Sequence, residues 1–252
     1  MPTFKITLAY DGTDFIGWQR QASGRSIQGL LEDAFRELDG RDVAVMGAGR
    51  TDAGVHALGQ VAGVTLRRAI DADGLVRAVN ARLPEAVRAV EASEVAETFH
   101  ARFQARAKTY RYRIWNAEVL SPFERHYAWH IPAPRLDVDA MAAAALLFEG
   151  RHDLAAMQAA GSDVQTTERV VFASRVADGV KEPRDMALIA YEISGNGFLR
   201  HMVRTIMGTL VEVGRGRYPV EWVSAVLASK DRARAGPTAP AHGLFLVRVE
   251  YD

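Results

Sequence analysis

The sequence predicts an α+β fold built from two ferredoxin-like halves. The first part of the chain reads strand, helix, strand, strand, helix, strand, which is the order of a ferredoxin-like unit, and the rest repeats that order loosely. The length of 252 residues suits one large domain or two fused ones, and 48% hydrophobic residues allow a sizeable core. We place the boundary near residues 105–107, which gives halves 1–106 and 107–252.

The first half is predicted from local patterns. Apolar and polar residues alternate over Phe4–Tyr10, which is typical of a strand. Ser26 is a predicted N-cap before an apolar helical stripe, and Gly40 is predicted to end that helix. The remaining elements are strands at Val43–Met46 and Gln60–Leu66, a helix at Asp71–Leu83 and a strand at Val87–Val95.

The second half is predicted in the same way. Its strands are expected at Lys108–Trp115, Val170–Val176, Ala187–Ser194 and Leu244–Tyr251, and its helices at Val138–Phe148, Phe198–Val213 and Val220–Ser229. Gly208 falls in the middle of a predicted helix, where glycine costs roughly 1 kcal/mol relative to alanine. Such a glycine indicates that another backbone segment approaches the helix closely.

Composition excludes several functional classes. The chain has no cysteine, so disulfides and thiolate metal sites are excluded. Its start lacks the pattern of a signal peptide, and the longest apolar run, Ala140–Phe148, is too short to span a bilayer, so we expect a cytoplasmic protein. Lys plus Arg and Asp plus Glu both number 31, which argues against a uniformly basic nucleic-acid binder but allows a local basic surface.

A glycine-rich stretch, GAGRTDAGVHALGQVAG at residues 47–63, holds the first candidate site. Glycines let a backbone or a substrate approach closely, and Arg50 lies two residues from Asp52, where its charge favours the ionised carboxylate. An ionised, positioned carboxylate serves as a nucleophile or a base. The alternative is that Asp52 only caps a helix or bonds its own backbone.

Two other interpretations of the same stretch are weak. Gly47-Ala48-Gly49 begins like a dinucleotide-binding loop, but Asp52 stands where that pattern needs a third glycine. Asp52 and His56 have the spacing of metal ligands on a helix, which the glycines disfavour, and His126 and His130 share that spacing without a third ligand. We therefore expect structural histidines and no metal.

Basic and aromatic residues interleave in RFQARAKTYRYRIWN, residues 102–116. On a strand, Lys108, Tyr110 and Tyr112 share one face, and Arg111 and Arg113 share the other. This pattern suits RNA phosphates and stacked bases, and it equally suits an edge strand protected by charge.

Two arginines border the apolar stripe of the predicted helix at Phe198–Val213. Arg200 and Arg204 lie one turn apart, and either could point toward a carboxylate such as Asp52. The following loop, AGPTAPAHG at residues 235–243, suggests no role by its pattern.

Taken together, these segments resemble the tRNA pseudouridine synthase A family over nearly the whole chain. The resemblance rests on YDGTDFIGWQRQ, SIQGLLEDA, GAGRTDAGVHALGQVA, FHARFQARAKTYRYRI, NGFLRHMVRTIMGTLVEVG and TAPAHGLFLVRVEY, which occur in that order. It implies a mixed, mostly antiparallel central sheet flanked by helices, with a cleft between two ferredoxin-like halves. It also implies a homodimer in which one tRNA contacts both subunits, substrate uridines in the anticodon arm, and no cofactor.

The resemblance assigns roles residue by residue. Asp52 matches the catalytic aspartate, and Arg50 matches the arginine that helps hold the flipped-out nucleotide. Tyr110 matches the tyrosine that stacks on the target base, and Arg204 matches the arginine that pairs with the aspartate, which favours it over Arg200. Family members often carry HDF-x-x-F where this chain has HDLAAM, with Leu154 and Met157 in place of the two rings. Both replacements remain apolar, so we expect core packing to survive.

Two rival functions remain at this point. One is an RNA-binding module without catalysis, which would not need Asp52 together with Arg204. The other is a hydrolase with an aspartate nucleophile, whose products would contain free base or a cleaved ester. Whether the chain is a tRNA isomerase or an RNA-binding module, we expect its basic residues to lie on the side that faces the tRNA. The candidates are residues 102–113, Arg215 and Arg217.

Overall fold

A computed structural model describes residues 1–159, 164–178 and 188–252. In chain order the described elements are β1 (Thr3–Tyr10), α1 (Ile27–Asp39), β2 (Met46–Gly47), β3 (His56–Thr65), α2 (Ala72–Asn80), β4 (Val87–Val95), β5 (Ala107–Trp115), β6 (Trp129–His130), α3 (Val138–Leu146), β7 (Gly150–Asp153), β8 (Glu168–Asp178), β9 (Leu188–Gly195), α4 (Met202–Gly214), α5 (Trp222–Ser229) and β10 (Leu244–Glu250). The α+β prediction is therefore confirmed.

The chain divides into two compact units. The first comprises residues 1–106 and 245–252, and the second comprises residues 107–244. The C-terminal residues belong to the first unit because β10 pairs in parallel with β3, Phe245 opposite His56 and Leu246 opposite Ala57. The expected division assigned these residues to the second half. Sequence adjacency alone suggested that assignment, and a strand at the end of the chain can pair far from its neighbours in sequence.

The first unit has the ferredoxin-like arrangement. β1 lies between β4 and β3 and is antiparallel to both, and β2 pairs antiparallel with the far end of β3. β3 therefore lies between β1 and β2, and β1 lies between β3 and β4. Each β-α-β segment thus has a third strand between its own two strands, as in the split β-α-β motif. Helix α2 packs against β4 and contacts α1.

Helix α1 begins and ends where local chemistry predicts. The Ser26 side chain accepts a hydrogen bond from the Gly29 N–H, and Gly40 closes the helix in a left-handed conformation, donating its N–H to the Arg36 carbonyl. These contacts satisfy backbone groups that helix ends leave unpaired. The predicted strand at Val43–Met46 is mostly wrong, because only Met46 joins a ladder and the Val45 carbonyl instead accepts from the Gln28 side chain.

The second unit repeats part of this arrangement. β9 lies between β5 and β8, antiparallel to both, and α3 lies in sequence between β5 and β8. β7 extends the sheet from β8, and β6 runs parallel to the end of β5. Patterning missed β6 and β7, which are too short for periodicity. The predicted start of β9 at Ala187 lies outside the described residues.

Helix α4 is buried along nearly its whole length and is the central helix of the second unit. It begins at Met202 and not at Phe198 as predicted, because His201 adopts a left-handed conformation with φ of 62°. Arg200 consequently lies outside the helix and is exposed, whereas Arg204 lies on its first turn. The premise that the two arginines sit one helical turn apart is wrong.

The apolar replacements in HDLAAM are part of the core. Leu154 and Met157 are both fully buried, so packing at these positions survives, as expected. Ala160 and the residues after it in this segment lie outside the described part of the chain. Among the residues that the structure describes, no helix combines the length and the apolar character needed to cross a membrane.

Candidate active site

Asp52 lies in a tight loop between β2 and β3. The Val55 N–H donates to the Asp52 carbonyl at 3.1 Å, which closes the turn. On the side toward β2, the Ala48 N–H donates to the Val61 carbonyl at 2.7 Å. Thr51 and Val55 are buried, while Asp52 is half-buried. The carboxylate is thus carried by a short segment whose neighbours on both sides are fixed in the interior.

A second loop, residues 11–18, is clamped against the first. The Trp18 N–H donates to the Thr51 carbonyl at 3.0 Å, and Gly17 forms an isolated antiparallel bridge with Asp52. A side chain at Gly17 would place its Cβ 2.6 Å from the Thr51 carbonyl oxygen, and the φ of 106° is one that only glycine adopts readily. Gly17 therefore permits the backbone contact that holds Asp52 in place.

Helix α1 supports this second loop. The Ile27 N–H donates to the Gly17 carbonyl at 3.2 Å and the Gln28 N–H donates to the Trp18 carbonyl at 2.9 Å. These N–H groups belong to the first turn of α1, where no intrahelical acceptor exists. The N–H groups at the start of α1 thus pair with the carbonyl groups of residues 17 and 18. Through these two residues the position of Asp52 is fixed relative to helix α1.

Three buried polar side chains hold the Thr51 side of the loop. The hydroxyls of Tyr10 and Thr51 are 2.8 Å apart, and the Gln60 side-chain amide donates to the Gly49 carbonyl at 2.9 Å and reaches the Tyr10 hydroxyl at 3.5 Å. Burial raises the pKa of Tyr10 to about 12, and the hydrogen bonds to Thr51 and Gln60 only partly offset it. Tyr10 is therefore a neutral hydroxyl at physiological pH.

Arg50 differs from its neighbours because it is exposed. It forms no hydrogen bond or ion pair with any described residue, and it lies directly before the buried Thr51. Its guanidinium can therefore bind a ligand without first breaking a contact with a described residue.

His56 is a structural residue. It is 1% exposed, its Nδ1 accepts the Gly12 N–H at 3.0 Å, and its ring stacks on Phe245 with centroids 4.7 Å apart. The dinucleotide-loop interpretation is wrong, since the glycine-rich stretch leads into β3 and the next helix after it, α2, begins only at Ala72. Within the described ranges, no group of three or more His, Cys, Asp or Glu side chains is arranged to hold a metal ion.

In the second unit, Tyr110 lies on β5 and is 8% exposed. Its ring meets Phe198 edge to face, with centroids 4.9 Å apart and planes at 75°. Tyr112 shares this strand face, is fully buried, and donates its hydroxyl proton to the Pro240 carbonyl at 2.8 Å. Burial raises the pKa of Tyr112, and the positive charge of Arg204 acts in the opposite direction. Tyr112 is a packing residue, and Tyr110 is the more accessible ring.

Arg204 is held by the loop at residues 236–240. Its Nε donates to the Ala239 carbonyl at 2.7 Å, and the Ala239 N–H donates to the Arg204 carbonyl at 3.1 Å. Burial lowers the pKa of His242, and the charges of His126 and Arg204 act in the same direction. The backbone bond holds the loop against α4, and the Nε bond restricts the directions in which the guanidinium can point.

The same loop packs on α4 through a glycine. A Cβ at Gly208 would lie 1.7 Å from the Pro237 carbonyl oxygen, so only glycine allows the two backbones to meet. The Gly236 N–H donates to the Thr209 hydroxyl at 3.0 Å, and Arg232 donates to Gly236 and Thr238. The close approach predicted at Gly208 is confirmed, and the loop for which the pattern suggested no role positions Arg204.

Most arginines of the expected basic surface are paired with carboxylates. Arg111 forms an ion pair with Glu192, its cross-strand neighbour, at 2.9 Å, and Arg113 forms one with Glu124 at 2.9 Å. The other pairs in this set are Arg106 with Asp252, and both Arg215 and Arg217 with Glu212. The charge available to phosphates along residues 102–113 is therefore smaller than the sequence suggests, and Arg102 is the arginine of this segment that forms no ion pair with a described carboxylate.

Sequence reasoning missed the Tyr10–Thr51–Gln60 cluster and the support that residues 236–240 give to Arg204. The alternation of β1 identified Tyr10 as a strand residue but carried no information about its partner 41 positions away. For the support of Arg204 by residues 236–240, the available signal was Gly208 in the middle of a helix. It indicated a close contact but did not identify the contacting segment.

Comparison with known proteins identifies the family of this chain. A family model described as tRNA pseudouridine synthase matches residues 6–104 and 144–252. Proteins named tRNA pseudouridine synthase A from Moorella thermoacetica and Myxococcus xanthus are 47% and 46% identical to this chain over its full length, covering 100% and 92% of their own lengths. A third, from Solibacter usitatus, is 47% identical with full coverage of both chains. The chain therefore belongs to the tRNA pseudouridine synthase family and is an isomerase that acts on tRNA.

Proposed function

We propose that this isomerase converts uridines of the tRNA anticodon arm to pseudouridine, with Asp52 as its catalytic residue. In this reaction the glycosidic bond between C1′ and N1 breaks, the base turns, and a bond forms between C1′ and C5. N1 gains a proton and C5 loses one, so the substrate and product have the same mass. The observation that carries the proposal is the half-buried carboxylate on a loop fixed from both sides.

Asp52 acts at the junction of sugar and base, as a nucleophile or as a base. A stacked uridine is out of reach, so the nucleotide must leave the helix, which costs a few kcal/mol. In our proposal Arg50 helps occupy the position that the base leaves, which its exposure and lack of a described partner support.

Tyr110 stacks on the extruded uracil in our proposal. Its edge contact with Phe198 supports this role because it fixes the plane of the ring. Changing Tyr110 to Phe keeps the stacking face and removes the hydroxyl, so retained turnover supports stacking and lost turnover supports proton transfer.

Arg204 pairs with Asp52 in our proposal, as the family resemblance implies. The positive charge of a neighbouring guanidinium attracts an ionised carboxylate and so helps to hold it in one orientation. The two hydrogen bonds between Arg204 and Ala239 support the role, since an arginine that orients a carboxylate must itself be held.

The activity and its location are tested together. The full chain is incubated with tRNA, and its nucleosides are analysed by mass spectrometry. Pseudouridine at unchanged RNA mass is expected, whereas a hydrolase would release free base and a binding module would leave uridine unchanged. Replacing the anticodon-arm uridines with cytidine should remove the product. Product that persists in that RNA would contradict the proposed location.

We also propose that the active form is a homodimer in which one tRNA contacts both subunits, and that it acts in the cytoplasm. The support for both is the family resemblance and the substrate class. Sedimentation equilibrium of the protein with and without tRNA tests the assembly. A monomer that binds and converts tRNA at full rate would contradict it.

A further inference from the structure

An exposed aromatic ring stands on the turn between β4 and β5. Phe103 is 75% exposed, so most of its ring is open to solvent. The His100 ring lies against it, with centroids 4.2 Å apart, and the Arg102 guanidinium lies 5.6 Å from the Phe103 centroid. One turn thus exposes to solvent an aromatic ring together with a cation that lies over it.

The turn is ordered by its own hydrogen bonds. The Nδ1 atom of His100 accepts the N–H groups of Arg102 and Phe103 at 3.2 and 3.3 Å. The His100 N–H donates to the Gln104 side chain, and the Gln104 N–H donates to the His100 carbonyl, both at 3.1 Å. A preorganised turn loses little entropy when it binds a partner.

The turn is also anchored to the loop that carries Asp52. Ala101 is fully buried in a small apolar cluster with Ala48 and Val61, and its carbonyl accepts the Tyr251 hydroxyl proton at 2.6 Å. Ala48 lies four residues before Asp52, and its N–H is bonded to Val61. The turn and the Asp52 loop therefore rest on the same cluster within the first unit.

Charge identifies the kind of partner. Arg102 forms no ion pair with a carboxylate among the described residues, in contrast to its neighbours Arg106, Arg111 and Arg113. A cation beside an exposed aromatic ring suits a nucleotide, whose base stacks on the ring while its phosphate meets the cation. An apolar protein surface would leave the guanidinium without an acceptor.

We propose that Phe103 and Arg102 form a tRNA contact outside the catalytic loop, in which Phe103 stacks on an exposed base and Arg102 contacts an adjacent phosphate. The proposal rests on the proposed function, because it takes tRNA as the partner. In this proposal Phe103 and Arg102 increase the affinity for tRNA and fix its position on the protein, and Asp52 carries out the reaction.

The test measures tRNA binding in an Asp52→Asn background, where turnover does not interfere. Phe103→Ala should weaken binding by about 5- to 150-fold, the range for loss of one stacked base. Phe103→Trp should restore affinity because it keeps an aromatic face. The matched control is Phe123→Ala, which removes a ring that is 81% exposed and should leave affinity unchanged. Wild-type affinity in Phe103→Ala, or an equal loss in the control, would overturn the proposal.

Arg102→Ala is measured as a function of salt. Loss of one phosphate contact should reduce the slope of log affinity against log salt by about 0.7–0.9, whereas Phe103→Ala should leave that slope unchanged.

Sedimentation of the Phe103→Ala variant tests whether a second copy of the chain, and not tRNA, covers this surface. A change in oligomeric state with intact tRNA affinity would mean that a second copy of the chain covers this surface, and would overturn the proposal. Pseudouridine formation is measured separately in the wild-type protein, which keeps Asp52. A wild-type protein that forms pseudouridine while Phe103→Ala binds tRNA normally would overturn only the proposed contact, whereas a wild-type protein without activity would overturn the proposed function.

Discussion

The hydroxyl oxygens of Tyr10 and Thr51 lie 2.8 Å apart in the interior of the first unit, one residue from Asp52. Tyr10 belongs to β1, a central strand, so this contact ties the loop to a part of the sheet that cannot shift independently. Gln60 adds a bond to the Gly49 carbonyl on the other side of Arg50. The loop that carries Asp52 is thus positioned by three buried side chains, those of Tyr10, Thr51 and Gln60.

Removing the Tyr10 hydroxyl tests whether this contact positions the loop. In Tyr10→Phe we expect kcat to fall about tenfold, because small displacements of a catalytic group are costly, while the free energy of unfolding falls by only about 1 kcal/mol. Steady-state kinetics and urea denaturation measure the two effects. Thr51→Ser keeps the hydroxyl and should retain most activity, whereas Thr51→Val should match Tyr10→Phe. Unchanged kcat in both hydroxyl-deleted variants would contradict a positioning role.

Gly208→Ala tests the close approach of residues 236–240 to α4. A helix glycine replaced by alanine at an open position gains up to about 1 kcal/mol of stability. Here the added Cβ would overlap the Pro237 carbonyl, so we expect a loss of about 3 kcal/mol or more and a displaced Ala239. Thermal unfolding and turnover are the measurements. A stabilised variant with normal turnover would disprove the contact.

Asp153 should make part of the stability depend on pH. The hydrogen bond from Lys230, at 2.8 Å, and that from the Thr167 hydroxyl hold the pKa of Asp153 below its ordinary value of 3.8. This contribution is fully present above the unfolded pKa and is lost as pH falls through the folded one. We expect Asp153→Asn to cost about 1 kcal/mol at neutral pH, since the pair is partly solvated. The difference from wild type should shrink below pH 3.8. A difference that grows with acid in chemical denaturation would contradict this assignment.

Arg204→Ala should reduce both turnover and stability, whereas Arg200→Ala should affect neither strongly. Arg204 lies in α4 with its guanidinium bonded to Ala239, while Arg200 is exposed before the helix. Removing one partner of a buried ion pair costs roughly 3–5 kcal/mol, and less where solvent reaches the pair. A double-mutant cycle with Asp52→Asn measures the coupling. Additive effects of the two substitutions on stability would count against the proposed pairing.

Much of the fold follows from local signals in the sequence. Ser26 and Gly40 bound α1 as predicted, and the alternation over Phe4–Tyr10 identified β1 nearly to the residue. These features depend on hydrogen bonds and side-chain periodicity within a few residues. The short strands and the start of α4 could not be predicted, because the left-handed conformation of His201 and the ladder partners of Met46 are set by tertiary contacts.

In the candidate site, too, only the features with a local signal in the sequence could be predicted. The glycine-rich loop around Asp52 and the close approach at Gly208 were visible as local departures from ordinary composition. Carboxylate partners for Arg111 and Arg113 were not visible, since Glu192 and Glu124 are distant or unpatterned in sequence. Resemblance to the family supplied the roles of Arg50, Tyr110 and Arg204, which remain proposals.

Tritium release from tRNA labelled at C5 of uridine tests the role of Asp52 most directly, because the C5 proton leaves only when the new glycosidic bond has formed. Asp52→Asn should release no tritium above background and should bind tRNA with near wild-type affinity, since binding rests on contacts spread over many residues. Asp42→Asn, which changes a side chain that is 94% exposed, is the matched control and should release tritium normally. Release by Asp52→Asn at the wild-type rate would contradict the account.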